Sequence, residues 1–145
     1  MRGGIAIALL ALAGCGAGTG EGLDQNGQPI SSGVGATPLA PTLASIQVNV
    51  FSAYCEVCHR GAAAPQGLQL EPGLSGGNLI NVHSPQDPTL MLIRVIPGNP
   101  DASFLIQKLE GTQTLGDRMP LGGPPYLPQS TIDVVRQWIQ DGALQ

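Results

Sequence analysis

The sequence predicts a helical module with long irregular loops. Three observations carry that prediction: a helical apolar spacing around residue 50, a second around residue 135, and a Gly- and Pro-rich stretch between them without alternating strands and helices. With 145 residues, 21 of them Gly and 13 Pro, the chain has the length of a single domain. Five aromatic side chains (Phe51, Tyr54, Phe104, Tyr126 and Trp138) are few for a core of that size.

The first helix follows Thr42, a good N-cap, and places Leu43, Ile46, Val50, Phe51 and Tyr54 at near-helical spacing up to Cys55. From Gly61 to Leu68 the chain reads as loop, with small residues that allow close approach and Pro65 to stiffen the path. Residues 71–87 are rich in turn formers. The apolar run Leu90–Ile96, stopped by Pro97-Gly98, fits helix or strand equally. Pro100-Asp101 opens a short helix through Phe104, Leu105, Lys108 and Leu109 that ends near Gly111. A last helix runs from near Pro128 to Gly142 and gathers Ile132, Val135, Trp138 and Ile139 on one face.

Upstream of the module, residues 1–14 read as an export signal: Arg2, an apolar run from Ile5 to Leu12 too short to span a bilayer, then Leu12-Ala13-Gly14-Cys15. The last four resemble the bacterial lipoprotein box, in which the cysteine is acylated and becomes the first residue of the mature chain. Residues 15–41, poor in apolar periodicity, read as a flexible tether with a reach on the order of 30 Å. Residues 42–145 are the folded domain. Gly16 after Cys15, where aspartate would signal inner-membrane retention, favours the outer membrane. The expected location is the cell envelope, facing the periplasm and held to the membrane through lipidated Cys15. The net charge of -4 lacks the basic face that nucleic acid requires.

The chemistry concentrates in Cys55-Glu56-Val57-Cys58-His59, of the form C-x-x-C-H, the attachment signature of a c-type haem. Two thiols three positions apart can each add to a haem vinyl group, and the following histidine lies under the iron. A zinc site would need further ligands, and Cys15 and His83 have no paired spacing. A thioredoxin-like thiol pair would need a βαβ context. One covalent haem would also supply the apolar bulk that the aromatic residues lack. The Pro65 carbonyl is the expected acceptor for the second nitrogen of His59.

For the sixth position the chain offers Met91, Met119 and His83. Met119 stands in Asp117-Arg118-Met119-Pro120-Leu121-Gly122-Gly123-Pro124-Pro125, a stiff, slim loop suited to pressing a thioether on a haem face. Met91, inside an apolar run, is expected in the core, and His83 in an exposed loop.

Cys55 to His59, Ala64-Pro65-Gln66-Gly67-Leu68, Arg118-Met119-Pro120 and Ile132 through Trp138-Ile139 to Gly142-Ala143 together resemble a bacterial class I cytochrome c domain. The resemblance covers residues 42–145. It implies an all-α fold with crossing terminal helices, Val50 and Phe51 against Trp138, around one haem. It also implies His59 and Met119 as axial ligands, Pro65 and Leu68 in the haem-binding loop, and one-electron transfer between redox protein partners without substrate chemistry. The chain departs from the family in its long Gly/Pro-rich middle. A haem enzyme or gas sensor would need an open or labile sixth position and a distal base, for which His83 is the available residue. An electron-relay subunit of a larger redox complex would share every feature above.

Overall fold

The computed structural model describes residues 38–123 and 125–145. The export signal, Cys15 and nearly all of the tether lie outside the described residues.

Thr42 halts an extended approach and starts α1 (Leu43–Ile46), its Oγ1 accepting the Ser45 amide proton at 3.3 Å. The folded part begins slightly before Thr42. Ser45 Oγ donates to the Pro38 carbonyl and accepts from the Ala40 amide, so the last tether residues are pinned to the helix start.

Beyond Ile46 the helix widens into a π-helix, Gln47–Cys55. Bonding from i to i+5, as in Glu56 N to Phe51 O at 2.9 Å, moves the inward face one residue later at each turn. The consequence shows at its end. Tyr54, expected on the apolar face, is exposed, and Cys55 takes its place against the core. Gln47 is buried with its amide satisfied: Nε2 donates to the Leu70 carbonyl at 2.8 Å and Oε1 accepts from Ser75 Oγ at 2.6 Å. Those bonds join the first helix to α2 (Ser75–Leu79).

Helix α3 (Phe104–Glu110) starts later than Pro100-Asp101 because Ser103 closes a turn first, its Oγ donating to Asn99 O and accepting from Ile96 N. It ends at Gly111, whose φ of 80° is left-handed and where a Cβ would stand 2.8 Å from Arg118 Cδ. Helix α4 (Gln129–Gln140) follows Pro128 and buries Ile132, Val135, Trp138 and Ile139, the face its spacing predicts. Arg136 of α4 pairs with Glu110 at 3.1 Å and with Asp101.

Residues 90–96 form neither a helix nor a sheet strand. Two isolated bridges, Ile80 to Val95 (parallel) and His83 to Ile93 (antiparallel), hold them in extended form. Met91 is not in the core; it is 79% exposed. The cause is Asp87, whose carboxylate gathers the Thr89 amide and hydroxyl and the Met91 and Leu92 amides. That capture turns the chain outward through Leu90, which adopts a φ of 56°.

One apolar core unites these pieces: Ile46, Val50 and Phe51 from the first helix, Leu79 from α2, Val95, Ile106 and Leu109 around α3, and the inner face of α4. Among the described residues no helix is long and apolar enough to cross a membrane.

Two stability predictions follow from this packing. Trp138 is 1% exposed and its Nε1 donates to Leu144 O at 2.9 Å, so Trp138→Ala should cost roughly 3–5 kcal/mol in denaturant unfolding. The Asp87 carboxyl is pushed down from 3.8 to about 2, chiefly by the Thr89 hydroxyl and then by backbone amides. A depressed carboxyl stabilises the fold above its unfolded value and loses that contribution as the pH falls. Acid titration should therefore weaken the wild type between about pH 4 and pH 2. Asp87→Asn, which turns a donor toward backbone amides, should melt lower at pH 7 and show less loss across that window.

Candidate functional site

The two thiols of the C-x-x-C-H pentapeptide face different surroundings. Cys55, at the end of the π-helix, is half-buried against the core, with Sγ 3.7 Å from Val50 O. Burial, helped by the Glu56 charge, pushes its pKa up to about 12. Cys58 is exposed, and neither thiol is in a disulfide. Val57 between them is 87% exposed.

His59 closes the last turn, its amide bonded to Cys55 O at 2.9 Å. Its half-buried ring places Nδ1 3.2 Å from the Leu68 carbonyl. A carbonyl only accepts, so Nδ1 carries the proton of the neutral ring and Nε2 keeps the lone pair. Burial lowers the pKa of His59, the Leu68 bond opposes that, and Arg94 adds to the lowering.

The acceptor is therefore Leu68 and not Pro65. The Pro65 carbonyl accepts the Leu68 amide at 3.1 Å within the turn, and Pro65 is exposed. Its contribution is the tight turn Pro65–Gly67, in which Gln66 at φ 59° and Gly67 at φ 62° swing the Leu68 carbonyl toward the ring. The loop is closed below by Leu70 N to His59 O at 2.9 Å and by Glu71, whose carboxylate accepts the Gly61 amide.

Met119 is half-buried against the same core as Cys55 and Leu68. Its loop is clasped to α3. The Met119 amide donates to Lys108 O at 2.9 Å, Arg118 Nε to Leu109 O at 3.0 Å, and Lys108 Nζ to Leu115 O at 2.6 Å and Asp117 O at 3.2 Å. The Arg118 guanidinium lies 4.1 Å from the Tyr126 ring centroid. His83 and Met91 are both exposed.

Three contributors carried no sequence signal of their role. Lys108 has the spacing of an ordinary helix-surface residue, Arg94 sits in an apolar run, and Arg118 reads as a loop charge; only the fold brings them to these carbonyls. Asp87-Pro88-Thr89 was the exception, since an aspartate two residues before a threonine is a side-chain-capped turn in the making.

Among the described residues no group of three or more His, Cys, Asp and Glu gathers as a metal cluster. Two clefts, about 260 Å³ beside Pro100 and Arg136 and about 440 Å³ beside Leu43 and Gln145, are lined by none of the candidate residues. What the pentapeptide offers chemically is two unbonded thiols and one oriented imidazole lone pair. A donor set of imidazole nitrogen and thioether sulfur suits haem iron, and the free thiols suit its covalent attachment. Comparison with protein-family models, with curated proteins and with solved structures gave no match.

Proposed function

We propose that this chain is a lipid-anchored mono-haem c-type cytochrome that carries single electrons in the bacterial cell envelope, its residues 42–145 adopting a class I cytochrome c-like arrangement. The observation that carries the reading is the bond from His59 Nδ1 to Leu68 O, directly after two unbonded thiols. It supports the motif reading by fixing which ring nitrogen keeps its lone pair. When bound, a haem supplies reversible one-electron chemistry, passing between ferric and ferrous states with redox proteins as donor and acceptor.

The chain's own residues then have distinct tasks. Cys55 and Cys58 would hold the haem through thioethers, and His59 would bind its iron through Nε2. The Leu68 carbonyl holds the ring's orientation and raises its basicity as a ligand. Met119 would bind the iron through its sulfur, from a loop that four hydrogen bonds secure to α3. A soft thioether favours the reduced metal, which suits a carrier better than an oxygen-activating site.

Expression with haem maturation machinery tests this directly. Acid-acetone extraction should leave haem on the protein, and the oxidised form should show the weak long-wavelength band of methionine ligation. The reduced form should resist carbon monoxide. Met119→Ala should remove the band, lower the potential and admit carbon monoxide, while His83→Ala should leave the spectrum unchanged. A wild type that releases its haem, or that binds carbon monoxide readily, would overturn the carrier reading.

Membrane attachment is a separate part of the proposal, supported by Leu12-Ala13-Gly14-Cys15. Mass spectrometry of the mature N-terminus should find an acylated Cys15, and an unmodified thiol there would remove the anchor.

A further inference from the structure

The chain has six Lys and Arg residues, and two of them, Arg94 and Lys108, are buried at 7% and 8% exposure. Buried cations are ordinarily paired with carboxylates, because desolvating a lone charge is costly. Here they are not. Among the described residues the ion pairs are made by Arg60 and Arg136. Arg94 instead spends Nη1 on Asn78 O at 2.8 Å and Nη2 on Gln66 O at 2.7 Å. Lys108 spends Nζ on Leu115 O and Asp117 O, 5.0 Å from the Phe104 ring centroid, and the exposed Asp117 side chain pulls on it only from beyond ion-pair distance. Neutral carbonyls solvate a cation without cancelling its charge.

The placement of the two is not symmetrical in sequence but is so in role. Gln66 lies two residues before Leu68, so Arg94 supports the turn whose carbonyl orients His59. Lys108 receives the Met119 amide on its own carbonyl and braces the preceding loop with its side chain. Arg94 thus stands against the turn that orients His59, and Lys108 against the loop that carries Met119, where Arg118 is a further cation without an ion pair among the described residues. Water screens exposed charges strongly and buried ones weakly, so these two act at longer range than the acidic surface does.

We infer that Arg94 and Lys108 form an electrostatic device that raises the reduction potential of the group held by His59 and Met119, by opposing the additional positive charge of its oxidised state. This rests on the haem reading above. The one electron taken up on reduction would come from a reduced redox protein and would lower the positive charge that both cations oppose.

Potentiometric titration of the intact holoprotein tests it, with the absorption spectrum recorded alongside. Arg94→Gln and Lys108→Met should each lower the equilibrium constant for reduction about tenfold, equivalent to about 59 mV for one electron, with the methionine band retained. Arg94→Lys and Lys108→Arg should recover most of the loss. Arg136→Gln, which removes an equal charge that Glu110 and Asp101 already pair, should leave the potential unchanged.

A further variant avoids removing either cation. Gln86 Nε2 and Lys108 Nζ both lie against Gly116, so Gln86→Glu would set a carboxylate beside Lys108 and should lower the potential while the lysine stays in place. If Gln86→Glu and the neutral variants keep covalent haem and the methionine band but move the potential no more than Arg136→Gln does, the inference is wrong. Loss of the methionine band would equally overturn it, by showing a positional role and not an electrostatic one. A wild type without covalent haem would overturn the proposed function itself, an outcome that a pyridine haemochrome assay distinguishes from the others.

Discussion

Cys55, Leu68 and Met119 lean on one apolar core, assembled from stretches far apart in sequence. Phe51, Val95 and Trp138 are each within 1% of complete burial, and Cys55, Leu68 and Met119 pack against the cluster they belong to. A core of this kind is close-packed, so the positions of groups resting on it are set by shape and not by their own bonds. Loops that would otherwise wander, rich in Gly and Pro, gain fixed positions where a single apolar side chain enters the cluster.

Between those apolar anchors, the loops are held by polar side chains bonded to the main chain. Asp87 gathers the turn before Leu92, Gln47 spans from the first helix to Leu70 and α2, and Lys108 and Arg118 bind the stretch before Met119 to α3. With 21 glycines the chain has few side chains to spare for contacts between loops. Side chain to backbone bonds meet that need, because each satisfies a carbonyl or amide that a buried loop would leave without a partner.

The winding of the first helix links this architecture to the candidate site. An α-helical continuation past Phe51 would turn Tyr54 inward. The i to i+5 winding delivers Cys55 instead and leaves Tyr54 in water. The pentapeptide consequently begins with a thiol on the core and continues outward to Cys58, before His59 returns to meet the Leu68 carbonyl. A half-buried thiol and an exposed one, three residues apart, come from that single change of pitch.

Local pattern determined a good deal by itself. Thr42 as a cap, the Ile132, Val135, Trp138 and Ile139 face of α4, the stop at Gly111 and the C-x-x-C-H pentapeptide are all legible because capping, helical period and motif spacing act over a few residues. Tertiary structure alone decided the remainder. Met91 looked like core and is exposed, since an aspartate four residues earlier captured its amide. Pro65 is the acceptor that the sequence suggests for His59, yet the turn it opens presents the Leu68 carbonyl to the ring instead. Arg94 and Lys108 are buried by contacts with chain 16 to 28 residues away in one case and with the Leu115–Asp117 loop in the other. Which carbonyl a cation or a ring nitrogen meets depends on how distant segments cross, and no window of neighbouring residues contains that information.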